Sequence, residues 1–287
     1  MKEKIDLMQA EVVKFLSEWG SFPAIKEQDD RIEEIIEALE KRLKRHQIGL
    51  ESELIQVLRE LGYIPDSPIE QQRIIEEILE PVFEKMSQTI ADNGLEGAEV
   101  GREITLSELA VQGIAVTFSG FNEIVAEELR NRVYVFSKDT FSRIKGDFAQ
   151  ALTDGYIKGL GIDEIAMILR DYFRDLRDNR LRTIARTEVQ GAQNMGINKT
   201  MEEFNVQYKQ WLTVGDSRVR GRGKYDKADH VSLHGQVVRF DEPFSNGLFH
   251  PLDRDHGRIE DWINCRCRMR PYIPRKNEVI LTTPYYP

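Results

Sequence analysis

Through roughly the first two thirds of the chain, apolar residues recur every three to four positions, the period of a helix that buries one stripe. Ile5, Met8, Val12, Phe15, Leu16 and Trp19 mark a first helix, and Gly20, Ser21 and Pro23 stop it. Asp29 or Asp30 can cap a second helix, whose stripe of Ile32, Ile35, Ile36, Leu39 and Leu43 continues past Gly49 through Leu50, Leu54, Val57, Leu58 and Leu61. Pro65, Ser67 and Pro68 break the pattern, and Ile69, Ile74, Ile75, Ile78, Leu79, Val82 and Phe83 rebuild it.

From Asn93 to Gly101 the sequence turns polar and glycine-bearing, which marks a candidate boundary. Helical spacing returns with Leu106, Leu109, Ala110 and Ile114, then Ile124, Val125 and Leu129, then Phe141, Ile144, Phe148, Leu152 and Tyr156. Gly155, Gly159 and Gly161 introduce a short helix, IDEIAMILRDYF, with Asp163 and Glu164 in the first turn, where the helix dipole favours negative charge. GLGIDEIAMIL has the layout of half a helix-turn-helix, as does any short helix pair with a glycine turn. Asp171 and Asp175 beside Arg170 and Arg174 make it a poor face for phosphate. A further helix follows Asp178, with small residues at Ala185, Gly191, Ala192 and Gly196 that let another backbone come close.

Beyond Asn205 the period changes to two. VQYKQWLTV, QVVRF and CRCRMRPYI read as strands, and the alternation of the third puts Cys265, Cys267 and Met269 on one side and Arg266, Arg268 and Arg270 on the other. The expected fold class is α+β: mostly helical, with long N-terminal helices and a small C-terminal antiparallel β-containing module. Three segments are expected: an acidic helical docking arm over residues 1–100, a helical core over 101–204, and a small α+β module carrying a His/Cys cluster over 205–287.

The composition, 40% apolar and 31% charged, is that of a globular chain with no difficulty in burying a core. No signal or transit peptide and no membrane span is read. The net charge of −9 is unevenly held: residues 1–104 are strongly acidic, whereas residues 205–287 carry more bases than acids. A basic end invites a polyanion, such as DNA contacted without regard to sequence, or an acidic protein face.

Four of the five histidines, His230, His234, His250 and His256, and both cysteines, Cys265 and Cys267, fall close together near the C-terminus. Cysteines one residue apart are poorly placed to bridge each other. On a helix His230 and His234 would share a face, and on a strand Cys265 and Cys267 would point the same way. The four together therefore offer a nitrogen and sulfur set suited to tetrahedral zinc. The C-x-C spacing is tighter than the usual zinc pair, and buried thiols beside histidines that bond loop carbonyls are the competing reading. Arg186 and Glu188 are read as members of a structural ion-pair network rather than as catalytic groups.

The succession IARTEVQGAQNMG, KQWLTVGDSRVR, a histidine ahead of HGQVVRFDEPF, and INCRC resembles the phage Mu F-like minor head protein family, also called the head morphogenesis family, over roughly residues 105–272. The resemblance places Arg186, Thr187, Glu188, Ala192, Asn194 and Gly196 in its helical block, and Trp211, Asp216, Arg218 and Arg220 in the next. His230, Gly235 and Gln236 follow, and Asn264, Cys265 and Cys267 close it. The linker from Gly221 to Asp229 is longer than the family's pattern. The resemblance implies a minor capsid protein of a tailed phage or prophage, not an enzyme and with no required cofactor. It would bind the portal protein and other head proteins, act in head assembly, and reside in the host cytoplasm during assembly and then in the virion head. Two rival classes remain open at this stage: a metal-dependent hydrolase or effector using the His/Cys cluster, and a non-specific nucleic-acid-binding protein.

Overall fold

The computed structural model describes residues 23–275, 278 and 280. The expected helix from Ile5 to Trp19 lies outside the described residues. Helix α1 (Pro23–Leu61) begins at a proline, whose missing N–H is no loss in a first turn. Asp29 and Asp30 consequently sit inside the helix instead of capping it. The expected stripe is buried: Ile32, Ile36, Leu39, Leu43, Leu50, Leu54 and Leu58 are each at most 3% exposed. Ser67 caps α2 (Pro68–Ile74) by accepting the Ile69 N–H at 3.3 Å. A single π turn, Ile75–Leu79, leads into α3 (Glu80–Val111). Ile69, counted in the rebuilt stripe, is instead exposed.

The stretch 93–101 is not a break but the interior of α3. Its polar and glycine residues serve a close helix crossing. A Cβ added at Gly101 would lie 2.2 Å from the carbonyl oxygen of Gln193, and one at Gly196 would lie 2.0 Å from that of Ala98. Both glycines are there because backbone must touch backbone.

Helix α4 (Glu123–Ile157) turns through Gly159, at φ +66°, into α5 (Ile162–Asp175). The Gly161 N–H donates to the Glu164 carboxylate at 2.6 Å, and a Cβ at Gly155 would strike the Ile165 side chain. The helix-turn-helix look is therefore an ordinary helix hairpin. A second π turn, Leu176–Arg180, precedes α6 (Leu181–Glu203).

The C-terminal module contains β1 (Tyr208–Leu212), β2 (Val237–Arg239), a one-turn α7 (Ile259–Trp262) and β3 (Arg268–Tyr272). The sheet order is β2-β1-β3, antiparallel throughout, with Trp211 opposite Met269 and Lys209 opposite Val238 and Pro271. All three expected strands form, and the fold is α+β and mostly helical as expected. Cys265 and Cys267 precede β3, yet the expected alternation holds through Arg270, with the cysteines and Met269 buried.

The compact units are interleaved along the chain rather than consecutive. Among the described residues, one comprises residues 23–34, Glu96–Asn122 and residues 190–275, and the other Ile35–Leu95 and Glu123–Val189. The second has a helical core that includes Leu39, Leu43, Leu54, Leu79, Phe148, Leu169 and Phe173, with Phe83 stacked on Phe141 at 4.6 Å. The first has two apolar clusters, one of them around Trp211 and both cysteines, the other around Leu109, Ile197, Met201, Val206 and Met269. Among the described residues no helix is long and apolar enough to cross a membrane.

Candidate functional site

Strand β1 sends alternate side chains inward, and Trp211 is fully buried there. Its ring meets Phe244 edge-on at 5.0 Å and the His230 imidazole at 5.4 Å. His230 Nδ1 lies 3.5 Å from the Sγ of Cys265 and 3.5 Å from the Sγ of Cys267. The three residues are 1%, 2% and 3% exposed, and their ligand atoms all lie within 4.8 Å of one another. Both cysteines are free thiols, as their spacing led one to expect.

The two sulfurs differ. The Cys267 backbone N–H points at Cys265 Sγ, at 3.4 Å. The Cys267 thiol and then His230 hold the Cys265 thiol well below its usual range, whereas Cys267, donating to Cys265 and buried, is pushed up.

A polar frame surrounds the cluster. Asp216 accepts both outer nitrogens of Arg266 at 2.7 Å each, in the bidentate geometry that suits a guanidinium, and the Arg218 N–H at 2.9 Å. Arg266 is the main reason its carboxyl sits far below the ordinary range. The Arg220 carbonyl accepts the N–H groups of His230 and Val231 at 2.9 and 3.1 Å, and its guanidinium donates to the Ile263 carbonyl. From α6, the Asn194 amide donates to the Cys267 carbonyl at 3.0 Å and accepts the Met269 N–H at 3.2 Å, acting as one more strand partner for the chain entering β3. Gln236 accepts the Ser245 N–H at 3.1 Å. Gly235 and Asn264 occupy positive-φ turns on either side, Asn264 being one of three non-glycine residues to do so among the described residues. The long linker is folded on itself, with Asp226 accepting the N–H groups of Gly221 and Gly223 at 2.8 Å.

Not every expected partner joins. Residues 231–235 form a turn, so His230 and His234 share no helical face. His234 is exposed, and its Nδ1 accepts the Thr213 N–H at 3.1 Å, outside the cluster. His256 bonds Asp253 at 2.9 Å, and the buried His250 lies near that same carboxylate. Burial works against the Asp253 carboxylate, but His250 and backbone N–H donors hold its pKa below the ordinary value. Arg186, Thr187 and Glu188 belong to the other compact unit. There Thr187 and Glu188 are buried, and Thr187 donates to the Thr183 carbonyl at 2.7 Å.

Lys209 escaped the sequence reading. It is 1% exposed, donates to the Phe240 carbonyl at 2.7 Å, and lies within 5.5 Å of the ring centres of Phe240, Phe244 and Phe249. Burial pushes its pKa down to about 8. The signal was present: two residues before Trp211 on a strand, it must face the same way.

Two shallow grooves, of about 500 and 230 Å³, lie elsewhere, one lined by Glu51, Ile55, Arg59 and Arg170 and the other by Asn205, Gln207, Arg239 and Asp241.

Residues 146–270 match the family model described as Phage Mu protein F like protein. An uncharacterized protein of Methanocaldococcus jannaschii is 29% identical over 131 residues, 46% of this chain and 18% of that protein. The Mu-like prophage FluMu F protein of Haemophilus influenzae is 35% identical over 92 residues, 31% of this chain and 18% of that protein. The chain thus spans under a fifth of the length of these curated relatives. No solved structure matches.

Proposed function

We propose, on the premise that the chain belongs through residues 146–270 to the phage Mu F-like family, that it is a minor structural protein of a tailed-phage or prophage head, binding the portal vertex and acting in head assembly. The observation that carries this reading is that the C-terminal motif residues are engaged with one another. Asp216 holds Arg266, Asn194 holds the entry to β3, Gln236 holds Ser245, and His230 is buried against both thiols. Groups locked in this way define a shape. A hydrolase or effector built on the cluster would need substrate to reach an imidazole that is 1% exposed.

The acidic helices are the surface we assign to docking. Glu53, Glu76, Glu77 and Glu84 stand exposed on α1, the π turn and α3. Deleting residues 1–100 would remove core from both compact units, so charge reversal is the cleaner probe. The chain, co-expressed with the portal and capsid proteins of its parental phage, is expected to copurify with portal and to be found in purified heads. Glu76→Lys with Glu77→Lys and Glu84→Lys should weaken capture. Heads that form and fill normally without the chain, and that do not contain it when it is supplied, refute the assignment.

A second reading, contact with packaged DNA, is favoured by the loop over residues 217–227. Arg218, Arg222, Lys224 and Lys227 are exposed there beside an exposed Tyr225. Such contact would be independent of sequence and weakened by salt. Duplex binding that is undetectable at low salt removes it.

A further inference from the structure

We infer that His230 Nδ1, Cys265 Sγ and Cys267 Sγ form a three-ligand site for a zinc-class divalent ion that ties the loop between β1 and β2 to the chain entering β3. Zinc bonded to sulfur and to imidazole nitrogen in a tetrahedron separates those two atoms by ~3.6 Å, from the usual bond lengths. Both nitrogen-to-sulfur distances here are 3.5 Å. Either distance alone is ordinary for a hydrogen bond to sulfur, but a single nitrogen cannot accept fully from two thiols at once. One ion between the three atoms satisfies all of them.

The surroundings suit such an ion. A divalent cation with two thiolates and a neutral imidazole carries no net charge, so the centre can be buried without the penalty of an isolated ion. The Cys267 N–H aimed at Cys265 Sγ is a donor placed for a thiolate. Trp211, Leu233, Val238 and Phe244 wall the site with apolar surface, which favours a fixed centre over an exchanging one. Ligand placement is supported from outside: Arg220 holds the backbone of His230, and Asn194 holds that of Cys267. Among the described residues no fourth His, Cys, Asp or Glu converges there, so the last tetrahedral position falls to a small ligand such as water. With every protein ligand at most 3% exposed, the role assigned is a cross-link. It joins segments some 35 residues apart in sequence, His230 to Cys265 and Cys267.

The test uses the full chain, purified under reducing conditions and assayed for metal by mass spectrometry, then stripped and reloaded with zinc or cobalt. One equivalent per chain is expected, with a cobalt-thiolate charge-transfer band that Cys265→Ser and Cys267→Ser each abolish. His234→Ala, which changes a residue outside the set, should leave both unchanged. Where a serine variant fails to fold, the native protein serves instead: titrating the thiols with a mercurial should release one zinc for the two cysteines. Natively folded chain that takes up less than about a tenth of an equivalent of either ion overturns the assignment. So does a folded double serine variant that keeps its metal, or loss of metal in His234→Ala.

Discussion

Glu108 sits in the last turn of α3, and both of its carboxylate oxygens are buried without a hydrogen-bond partner among the described residues. Burial pushes its pKa up from 4.5 to about 7, only partly countered by Arg268 and Arg270. Its place at the C-terminal end of a helix disfavours negative charge further. Below its unfolded pKa the side chain is protonated in both states and pH has no leverage. Between about pH 4.5 and 7 the native state keeps a proton that the unfolded state has released, so stability falls by ~1.4 kcal/mol per pH unit and levels off above. The native carboxylate therefore costs about 3 kcal/mol at pH 8. Glu108→Gln removes that charge at nearly constant volume. In urea melts followed by tryptophan fluorescence, for which Trp211 in the same compact unit is a buried reporter, the variant should match the parent at about pH 4.5 and exceed it by about 3 kcal/mol at pH 8. A stability difference that stays constant across this range would refute the reasoning, because the carboxyl would then titrate alike in both states.

Lys209, on β1, makes the opposite case. Its folded pKa of about 8 lies below the ordinary 10.5, so the unfolded state binds the extra proton between those values and stability should rise with pH there. Lys209→Met should flatten that rise in denaturant melts, and a slope that survives substitution rules out Lys209 as its source. Gly196→Ala places a methyl 2.0 Å from the Ala98 carbonyl oxygen and should cost about 3 kcal/mol, whereas Gly191→Ala meets nothing closer than 3.8 Å and should be neutral or gain up to ~1 kcal/mol. Thermal melts by circular dichroism that rank the two alike would contradict this. Asn194→Ala leaves the Cys267 carbonyl and the Met269 N–H without their side-chain partner, which should cost about 2 to 4 kcal/mol, read as faster amide exchange at Met269 than at residues of the other unit.

Much of this was legible in the chain itself. The stripe from Ile32 to Leu58, the glycine turn before Ile162 and the alternation from Cys265 to Arg270 each announce an element, because burial of one face imposes a period that needs no partner to be read. The stretch 93–101 was misread for a definite reason. Glycine and polar residues mark a turn in water, but at a helix crossing the same residues are selected for closeness, and the neighbouring helix comes from residues some ninety positions later. The histidines were misgrouped for a similar reason. Spacing places His230 and His234 on one face only if the segment is helical, and a turn over residues 231–235 separates them.

The amino-acid order by itself thus determined the helical and strand content, the uneven charge and the inward set of Cys265, Cys267 and Met269. Local periodicity and composition carry these without reference to distant residues. Only the tertiary structure decided that His230 rather than His234 meets the thiols, that Lys209 lies beneath three phenylalanines, that Glu108 loses its water, and that the compact units interleave. Those outcomes depend on which surfaces meet across long stretches of chain, and burial, not residue type, then sets each group's chemistry.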